Sequence, residues 1–545
     1  MKDAIVIGSG IAGMTCAIRL AERGVHVCLV SPFPSERSQS VLAAGGINGV
    51  LSEHEEGDSV ACHIEDTLRG GCGLAGRKAV TGLCESAEDI IRRLEKAGTV
   101  FSVDENGRPL RRAFGGQSFR RTYYCGSATG KHIVSALVME LRRYEARGLV
   151  ERKLWSCFYS ALISDGRCCG VILYDETKLD LIPLTADAVV IATGGQNAMF
   201  GKTTGSTQCD GYTAGKLFTQ GVELKNLEFI QYHPTTIETK QKRMLISEAV
   251  RGEGGRLFYL EDGRRVYFLE DKYGPNGNLM TRDIISREID AAGKTVWLDI
   301  SFLGEEEIMR RLPEVRDLCL KYIGLDIAKE PVPVAPSVHF FMGGIAVHLN
   351  HETNIKNLFA IGECASMYHG ANRLGGNSLL SAQYSAIVAA EEIASRAPAG
   401  GAPDFAAELG EGRAHLRKLK ESSGSRFPVT YIREMLADTM REDLGITRDE
   451  ASLRSGIKSI DYYLSLADGI NYDSSVAMHE LYSLKAILQL ARATLTSAES
   501  RRESRGAHFR ADYPCEDDSY AAATIISYDE GRYSTRLDEE RKYES

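Results

Sequence analysis

The sequence predicts an α/β protein: a Rossmann-like domain interrupted by an insertion and followed by a helical domain. Three observations carry that expectation. Residues 3–31 read as an apolar strand, the run Gly8-Ser-Gly10-Ile-Ala-Gly13, an apolar-periodic stretch to Leu20, and a second strand ending at Ser31. A further strand-like run, residues 186–195, ends in Ala-Thr193-Gly194-Gly195 and repeats the small-residue pattern. Beyond residue 405, apolar residues recur three and four apart over 427–440, 449–466 and 481–500, as packed helices require.

The first run has the order of a dinucleotide-binding βαβ unit. Gly8 allows the tight turn, Gly10 lets the backbone approach a pyrophosphate at the helix N-terminus, and Gly13 lets helix and strand pack closely. A glycine-rich turn in some other α/β protein is the alternative, and the flanking strand and helix patterns argue against it. The ribose-binding acid expected at the end of the second strand is absent, because Ser31 stands there. That leaves open which dinucleotide is bound.

At 545 residues the chain can bury more than one core. A net charge of −9 gives nucleic-acid binding no electrostatic support. No span of eighteen apolar residues occurs and the first strand begins almost at once, so the expectation is a cytoplasmic chain with no signal peptide and no direct membrane span. Any membrane association would run through partner subunits. The 13 cysteines are scattered with no Cys-x-x-Cys pair, which predicts buried thiols and no metal site. Iron–sulfur clusters, if electrons pass through them, must sit on another chain.

The remaining elements follow in chain order. Gly45-Gly46, among small residues, suits backbone lying against a flat ligand, with a surface loop as the alternative. A helical stretch spans 78–94. Phe114-Gly-Gly-Gln117 reads as a mobile or ligand-contacting loop, and Ser127-Ala-Thr-Gly130 precedes a helix over 132–144 as a cap or a phosphate site. Residues 153–185 alternate like antiparallel strands, and Cys209-Asp210-Gly211 starts another helix. The strand-like 227–234 ends in Pro234, which is expected to stop regular structure and open the inserted domain. That insertion is expected to hold few long strands. Within it Glu248 and Arg251 share a face if helical, and Thr281 is placed as the N-cap of a helix begun by Arg282. Exposed helical salt bridges are the plain alternative for these charges. A strand carries His339 just before a glycine pair, and from about residue 345 the first domain resumes, with a strand ending at Gly362-Glu363 and an alanine-rich helix over 382–394. Residues 395–404 read as a linker, and the end of the chain from about 532 as a charged, loose tail.

Long signatures then occur in a fixed order: Ala-Ala-Gly-Gly-Ile-Asn (43–48), Glu-Phe-Ile-Gln-Tyr-His-Pro-Thr (228–235), Glu-Ala-Val-Arg-Gly-Glu-Gly-Gly (248–255) and Arg-Asp-Ile-Ile-Ser-Arg (282–287). His-Phe-Phe-Met-Gly-Gly-Ile (339–345), Ala-Ile-Gly-Glu (360–363), His-Gly-Ala-Asn-Arg-Leu-Gly-Gly-Asn-Ser-Leu-Leu (369–380) and Ser-Arg-Gly-Ala-His (504–508) complete the set. Together they resemble the flavoprotein subunits of succinate dehydrogenase and fumarate reductase, with aspartate oxidase a close relative. The resemblance implies an FAD-binding domain over 1–233 and 345–396, an α+β capping domain over 234–344, a helical domain over 405–514 and a tail over 515–545. It disfavours a nicotinamide cofactor.

By the same resemblance, Gly8, Gly10, Ala12 and Gly13 face the pyrophosphate of FAD. Ser38, Ala44, Gly45, Gly46, Glu363, Ser378 and Leu379 surround its ribityl and flavin parts, with Glu363 accepting ribose hydroxyls. Ser31, Gln39, Thr193, Gly194 and Asp210 complete the cofactor set. His233, His339 and Arg373 would hold the carboxylates of a C4-dicarboxylate, with Ser247 and Phe114 beside it. Arg282 would donate the proton to fumarate, with Glu248 and Arg251 as its relay. The chemistry wants these types, since a dianion needs fixed donors and an arginine fork gives two parallel bonds to one carboxylate. Closure of the capping domain about residues near 234 and 340 would exclude water.

Three departures mark this chain. Gln39 stands where relatives with covalent FAD carry a histidine, so FAD is expected to be non-covalent, which tilts the expectation toward fumarate reduction over succinate oxidation. Ser381 replaces a common acid. The end of the chain after Pro514 lacks the usual tryptophan–lysine–histidine pattern, which bears on the partner surface. The implied partners are an iron–sulfur subunit and a membrane or thiol-oxidising subunit. L-aspartate oxidase, yielding iminoaspartate, is the alternative activity.

Overall fold

The computed structural model describes residues 2–52, 57–398, 400–401, 403–422, 427–470 and 472–538. Its organising layer is a five-stranded parallel sheet in the order Leu358–Ala360, Ala188–Ile191, Asp3–Ile7, His26–Ser31, Val150–Leu154. Strands covered on both faces read as continuous apolar runs. Accordingly Ala4 and Val6 enter one core while Ile5 and Ile7 enter another. The helices Ile11–Glu22 and Asn377–Ser395 cover the first face, where Thr15 donates to Gln383 Oε1 at 2.9 Å. Pairing of Ala188–Ile191 with Leu358–Ala360 returns the chain to this sheet after the insertion. The stretch expected as one helix over 78–94 is two, Arg77–Glu85 and Ala87–Ala97. At the break between them the Ser86 hydroxyl bonds back to the Gly82 carbonyl.

The antiparallel strands Ser156–Ser164, Arg167–Asp175 and Asp180–Thr185 form a separate layer. The inserted region has a core of its own, including Ile237, Ile246, Ile285, Val296 and Leu298. It corrects the sequence reading in two respects. A six-stranded sheet runs through it, in the order Arg243–Leu245, Ile230–Glu238, Val332–Phe341, Val296–Asp299, Arg256–Glu261, Arg264–Val266. Nor does Pro234 stop its strand: Ile230–Glu238 continues through it, with the register against Val332–Phe341 shifting between His233 and Thr236. A bulge takes a proline, which has no N–H to give, out of the hydrogen-bond ladder.

The helices Ala406–Glu421, Val429–Glu442, Glu450–Ala467 and Met478–Ser500 follow. Leu436, Leu453 and Leu488 share one core with Ile5 and Val189, so the helical region closes directly over the parallel sheet. The reading of a loose tail is also corrected. Ala523–Asp529 and Arg532–Asp538 form an antiparallel hairpin that pairs with Leu224–Lys225, and Ile525 and Ile526 are buried. Glu530-Gly531, both at positive φ, make the two-residue turn such a hairpin needs. Charges that looked like a tail belong to an edge strand, where they discourage further pairing. Residues 539–545 lie outside the described part. Among the described residues no helix is long and apolar enough to cross a membrane, and no group of His, Cys, Asp and Glu is arranged to hold a metal ion.

Candidate active site

One cavity of about 480 Å³ opens at the C-terminal ends of the parallel strands and reaches under the inserted sheet. All the residues expected to bind cofactor or substrate line it except Gly13, and of the expected catalytic group only Arg251 stands back. Gly13 acts one layer behind: a Cβ there would fall 1.8 Å from the Gly8 carbonyl oxygen. Gly8 has φ +109°, and its own Cβ would lie 2.3 Å from Ala192 O, so both positions exclude side chains. Gly10 precedes Ile11–Glu22 without a side-chain cap. Instead the Ile11 N–H donates to Ser40 Oγ at 3.1 Å. This is the glycine turn and open helix N-terminus that a pyrophosphate requires.

Farther along, Gly46 at φ +146° lies against Tyr123 O, and Gly45 lies under the Phe114 ring, where a Cβ would sit 3.3 Å from ring carbons. Thr193, Gly194 and Ala44 present small surfaces, and Ser378 and Leu379 bring the N-terminal turn of Asn377–Ser395 to the cavity. Two buried polar groups here lack what a ligand with hydroxyls would supply. Among the described residues Ser38 Oγ has no partner, and the Glu363 carboxyl takes only the Phe341 N–H at 3.2 Å. Burial pushes Glu363 up to about 7. Flat glycine walls, a phosphate cradle and unfilled acceptors fit FAD. Gln39 lines the cavity as an amide whose Oε1 accepts the Ser206 N–H at 2.6 Å. The Ser31 hydroxyl donates to Phe33 O at 2.7 Å, and Asp210 is paired with His479 at 2.8 Å.

At the other end the inserted region meets the first domain. Arg282 Nε and Nη2 donate to Glu248 Oε2 at 2.9 and 2.6 Å, and its Nη1 donates to Gln231 Oε1 at 3.1 Å. Glu248 Oε1 accepts the Gly115 N–H at 2.8 Å and faces Arg251 Nη2 at 3.4 Å. Burial alone would raise the Glu248 carboxyl, but the guanidiniums of Arg282 and Arg251 bring it down to about 2. Arg251 is anchored behind it on Asn278 O at 2.9 Å. Thr281 holds the N-cap position of Arg282–Ala292, though its hydroxyl makes no capping bond.

His233 and His339 meet edge to face at 5.2 Å. Burial and the nearby Arg282 hold both imidazoles well below the usual histidine range, so both are neutral. His339 Nδ1 is tied to Thr204 Oγ1 at 2.8 Å and His233 Nδ1 takes the Thr235 N–H at 3.3 Å, leaving the other ring nitrogen of each to address a ligand. Arg373 lies over the Phe340 ring at 4.2 Å and donates from Nη2 to Gln231 Oε1 at 2.9 Å. Its Nε is buried without a partner among the described residues, and burial pushes the group down to about 9. A buried guanidinium with an unused donor is what a carboxylate would complete. Ser247, whose Oγ accepts the Ala249 N–H at 3.3 Å, stands at the same end. Ser381 lies within Asn377–Ser395, where it pairs with His369 Nε2 at 3.1 Å.

Sequence reasoning missed Gln231, which accepts from both arginines and donates to Asn372 Oδ1 and Arg373 O, each at 2.8 Å. Its one signal was its place inside the 228–235 signature. Thr204 and His479 left no signal at all.

Comparison with known proteins agrees with this geometry. The family described as FAD binding domain matches residues 3–379, and that described as fumarate reductase flavoprotein C-term matches 433–542. The succinate dehydrogenase flavoprotein subunit of Bacillus subtilis is 36% identical over 549 residues, covering 96% of this chain and 93% of its own. The 8-methylmenaquinol:fumarate reductase flavoprotein subunit of Wolinella succinogenes is 34% identical, over 95% of this chain and 87% of its own. Among solved structures, a quinol fumarate reductase of E. coli superposes with a TM-score of 0.90 at 29% identity, over all of both chains. Matches that run from the phosphate cradle through the helical region leave one placement: the chain belongs to the flavoprotein subunits of the succinate dehydrogenase and fumarate reductase family.

Proposed function

We propose that the protein interconverts fumarate and succinate as the catalytic subunit of a larger complex, working chiefly as a fumarate reductase with FAD held without a covalent bond. The observation that carries this reading is the reactive end of the cavity. Three buried guanidiniums, Arg251, Arg282 and Arg373, gather at this end against one carboxylate held well below its usual range, Glu248, an excess of positive charge that a dianion would balance. Arg373, His233 and His339 bind and orient the two carboxylates. FAD held by the glycine turn, Glu363 and Ser378 would, once reduced, supply the hydride for one alkene carbon.

Negative charge then builds on the substrate, and the donors of His339, His233 and Arg373 stabilise it as it forms. Arg282 delivers the proton to the adjacent carbon from its guanidinium. A guanidinium is a weak acid in water, so this step depends on a closed, dry site in which Glu248 and Arg251 return the proton. The support for Glu248 in that role is its hydrogen bonds to two nitrogens of Arg282. Closure also fits the division of labour, because Arg282 and Glu248 come from the insertion and Arg373 from the first domain. Electrons arrive from an iron–sulfur partner and, through it, from a membrane or thiol-oxidising subunit.

An anaerobic assay tests the reading. Reduced viologen should be oxidised by fumarate, while L-aspartate should leave the flavin oxidised. Flavin bleaching by L-aspartate without fumarate turnover would establish the aspartate oxidase alternative. Arg282→Lys should lower fumarate turnover by about 100-fold or more, because a lysine ammonium is a single point donor on a flexible stem. Near-normal turnover would remove the acid role. Acid precipitation of the protein should leave all flavin in the supernatant if Gln39 forms no linkage.

A further inference from the structure

His339 is neutral, so its ring carries a single N–H, and that proton can sit on either nitrogen. Only one placement serves a carboxylate. With the proton on Nε2 the ring donates to the ligand, whereas with it on Nδ1 the ring turns a bare lone pair toward an anion. Which nitrogen is protonated is set by the hydrogen bond the other one makes. For His339 Nδ1 the partner, among the described residues, is the Thr204 hydroxyl at 2.8 Å.

Thr204 belongs to the loop before Tyr212–Thr219, while His339 lies in the strand Val332–Phe341 of the inserted sheet. The loop backbone is held on both sides of Thr204. The Arg243 N–H donates to Thr203 O at 3.1 Å, and the Ser206 N–H donates to Gln39 Oε1 at 2.6 Å. A hydroxyl on a fixed, buried residue can still rotate, and this one has two acceptors in reach, His339 Nδ1 at 2.8 Å and Val338 O at 3.1 Å. It has one hydrogen to give. Donation to Val338 O leaves Thr204 Oγ1 as an acceptor and draws the imidazole proton to Nδ1. Donation to Nδ1 puts that proton on Nε2. Val338 O keeps a donor in the second arrangement, because it also accepts the Thr204 N–H at 3.3 Å. The shorter of the two hydroxyl distances is the one to Nδ1.

We propose that Thr204 is a positioning residue for the fumarate reaction: its hydroxyl donates to His339 Nδ1 and so fixes the tautomer in which Nε2–H faces a substrate carboxylate. A loop of the first domain thereby sets the donor state of a histidine carried by the inserted sheet. The inference rests on the reading of His339 as a carboxylate donor.

Steady-state fumarate reduction by the holoenzyme tests it, through a double-mutant cycle over Thr204 and His339. Thr204→Val replaces the hydroxyl by a methyl of the same shape, and Thr204→Ala removes it without adding bulk. Each should lower kcat/KM by about ten-fold with flavin content unchanged, as loss of a hydrogen bond to a charged group predicts. Thr204→Ser, which restores the hydroxyl, should recover most of that loss. In a His339→Gln background, Thr204→Val should change kcat/KM by less than about two-fold, because the residue it acts through is gone. Fully additive losses in that background would overturn the inference, as would wild-type kinetics in both Thr204→Val and Thr204→Ala, or a Thr204→Ser enzyme as impaired as Thr204→Val. A His339→Gln enzyme with wild-type kcat/KM would overturn the reading of His339 and the inference with it.

Discussion

Glu248 decides the electrostatics of the reactive end, because it is the ionised carboxylate that bonds Arg282 and also faces Arg251. A buried charge that loses its partner typically costs about 3–5 kcal/mol. Glu248→Gln should therefore lose about that much stability at pH 7 in urea unfolding. The pH dependence has a definite sign. The folded carboxyl stands at about 2 against roughly 4.3 in an unfolded chain, so its contribution is fully present above the unfolded value and lost as pH falls through the folded one. The gap between wild type and variant should stay level from pH 8 to 5, then shrink by about 1.4 kcal/mol per unit below about pH 4. A gap that held constant down to pH 3 would show that the carboxylate's charge is not what the site relies on.

The loop around Gln117 holds Glu248 from the other side. Gln117 Nε2 lies 3.0 to 3.1 Å from Asn48 Oδ1, Thr122 Oγ1 and Gly375 O, and its Oε1 accepts the Phe114 N–H at 3.2 Å. One amide thus ties the strands Ile47–Asn48 and Thr122–Tyr123, the Phe114 loop and the turn before Asn377–Ser395, and it aims the Gly115 N–H at Glu248. Gln117→Ala should lower kcat for fumarate by about ten-fold while KM changes little, since carboxylate binding sits on other elements; a rise in KM with kcat unchanged would mean the loop serves binding alone. The glycine turn was legible in the sequence because its geometry forbids a side chain at Gly8 and Gly13, and the later helices because their apolar spacing is regular. The inserted sheet was not legible, since register shifts break its alternation at His233, and the terminal hairpin carries charges on an edge strand. His233, His339 and Arg373 were legible through signatures that resemble the family, one in each of 228–235, 339–345 and 369–380. Gln231 was not, because an uncharged amide acquires its meaning only from two arginines lying 51 and 142 residues away.

On the scale of the whole molecule, the terminal hairpin is bound to the active site through one buried arginine. Arg501, fully buried, uses every N–H it has. Nε donates to Glu228 Oε1 at 2.7 Å, Nη1 to Glu503 Oε1 and Tyr520 O, and Nη2 to Ala522 O and Thr524 Oγ1. Thr524 Oγ1 donates in turn to Glu228 Oε1 at 2.7 Å. Glu228 stands three residues before Gln231, so the hairpin, the helical domain and the strand carrying His233 share one ionic node. A chain stopped at Pro514 removes three of the five acceptors of Arg501 and uncovers Leu224. Stranding a buried guanidinium in this way should cost several kcal/mol, about 3 or more, and calorimetry should show the transition lowered accordingly. Thr524→Val, which removes one hydroxyl and keeps the shape, isolates the node from the loss of the hairpin. It should cost about 1 kcal/mol and lower Tm by a few degrees, about 2 °C. If that variant and the shortened chain both melted with the wild type, the hairpin would be a surface addition, and the node would contribute nothing to holding the active-site strand.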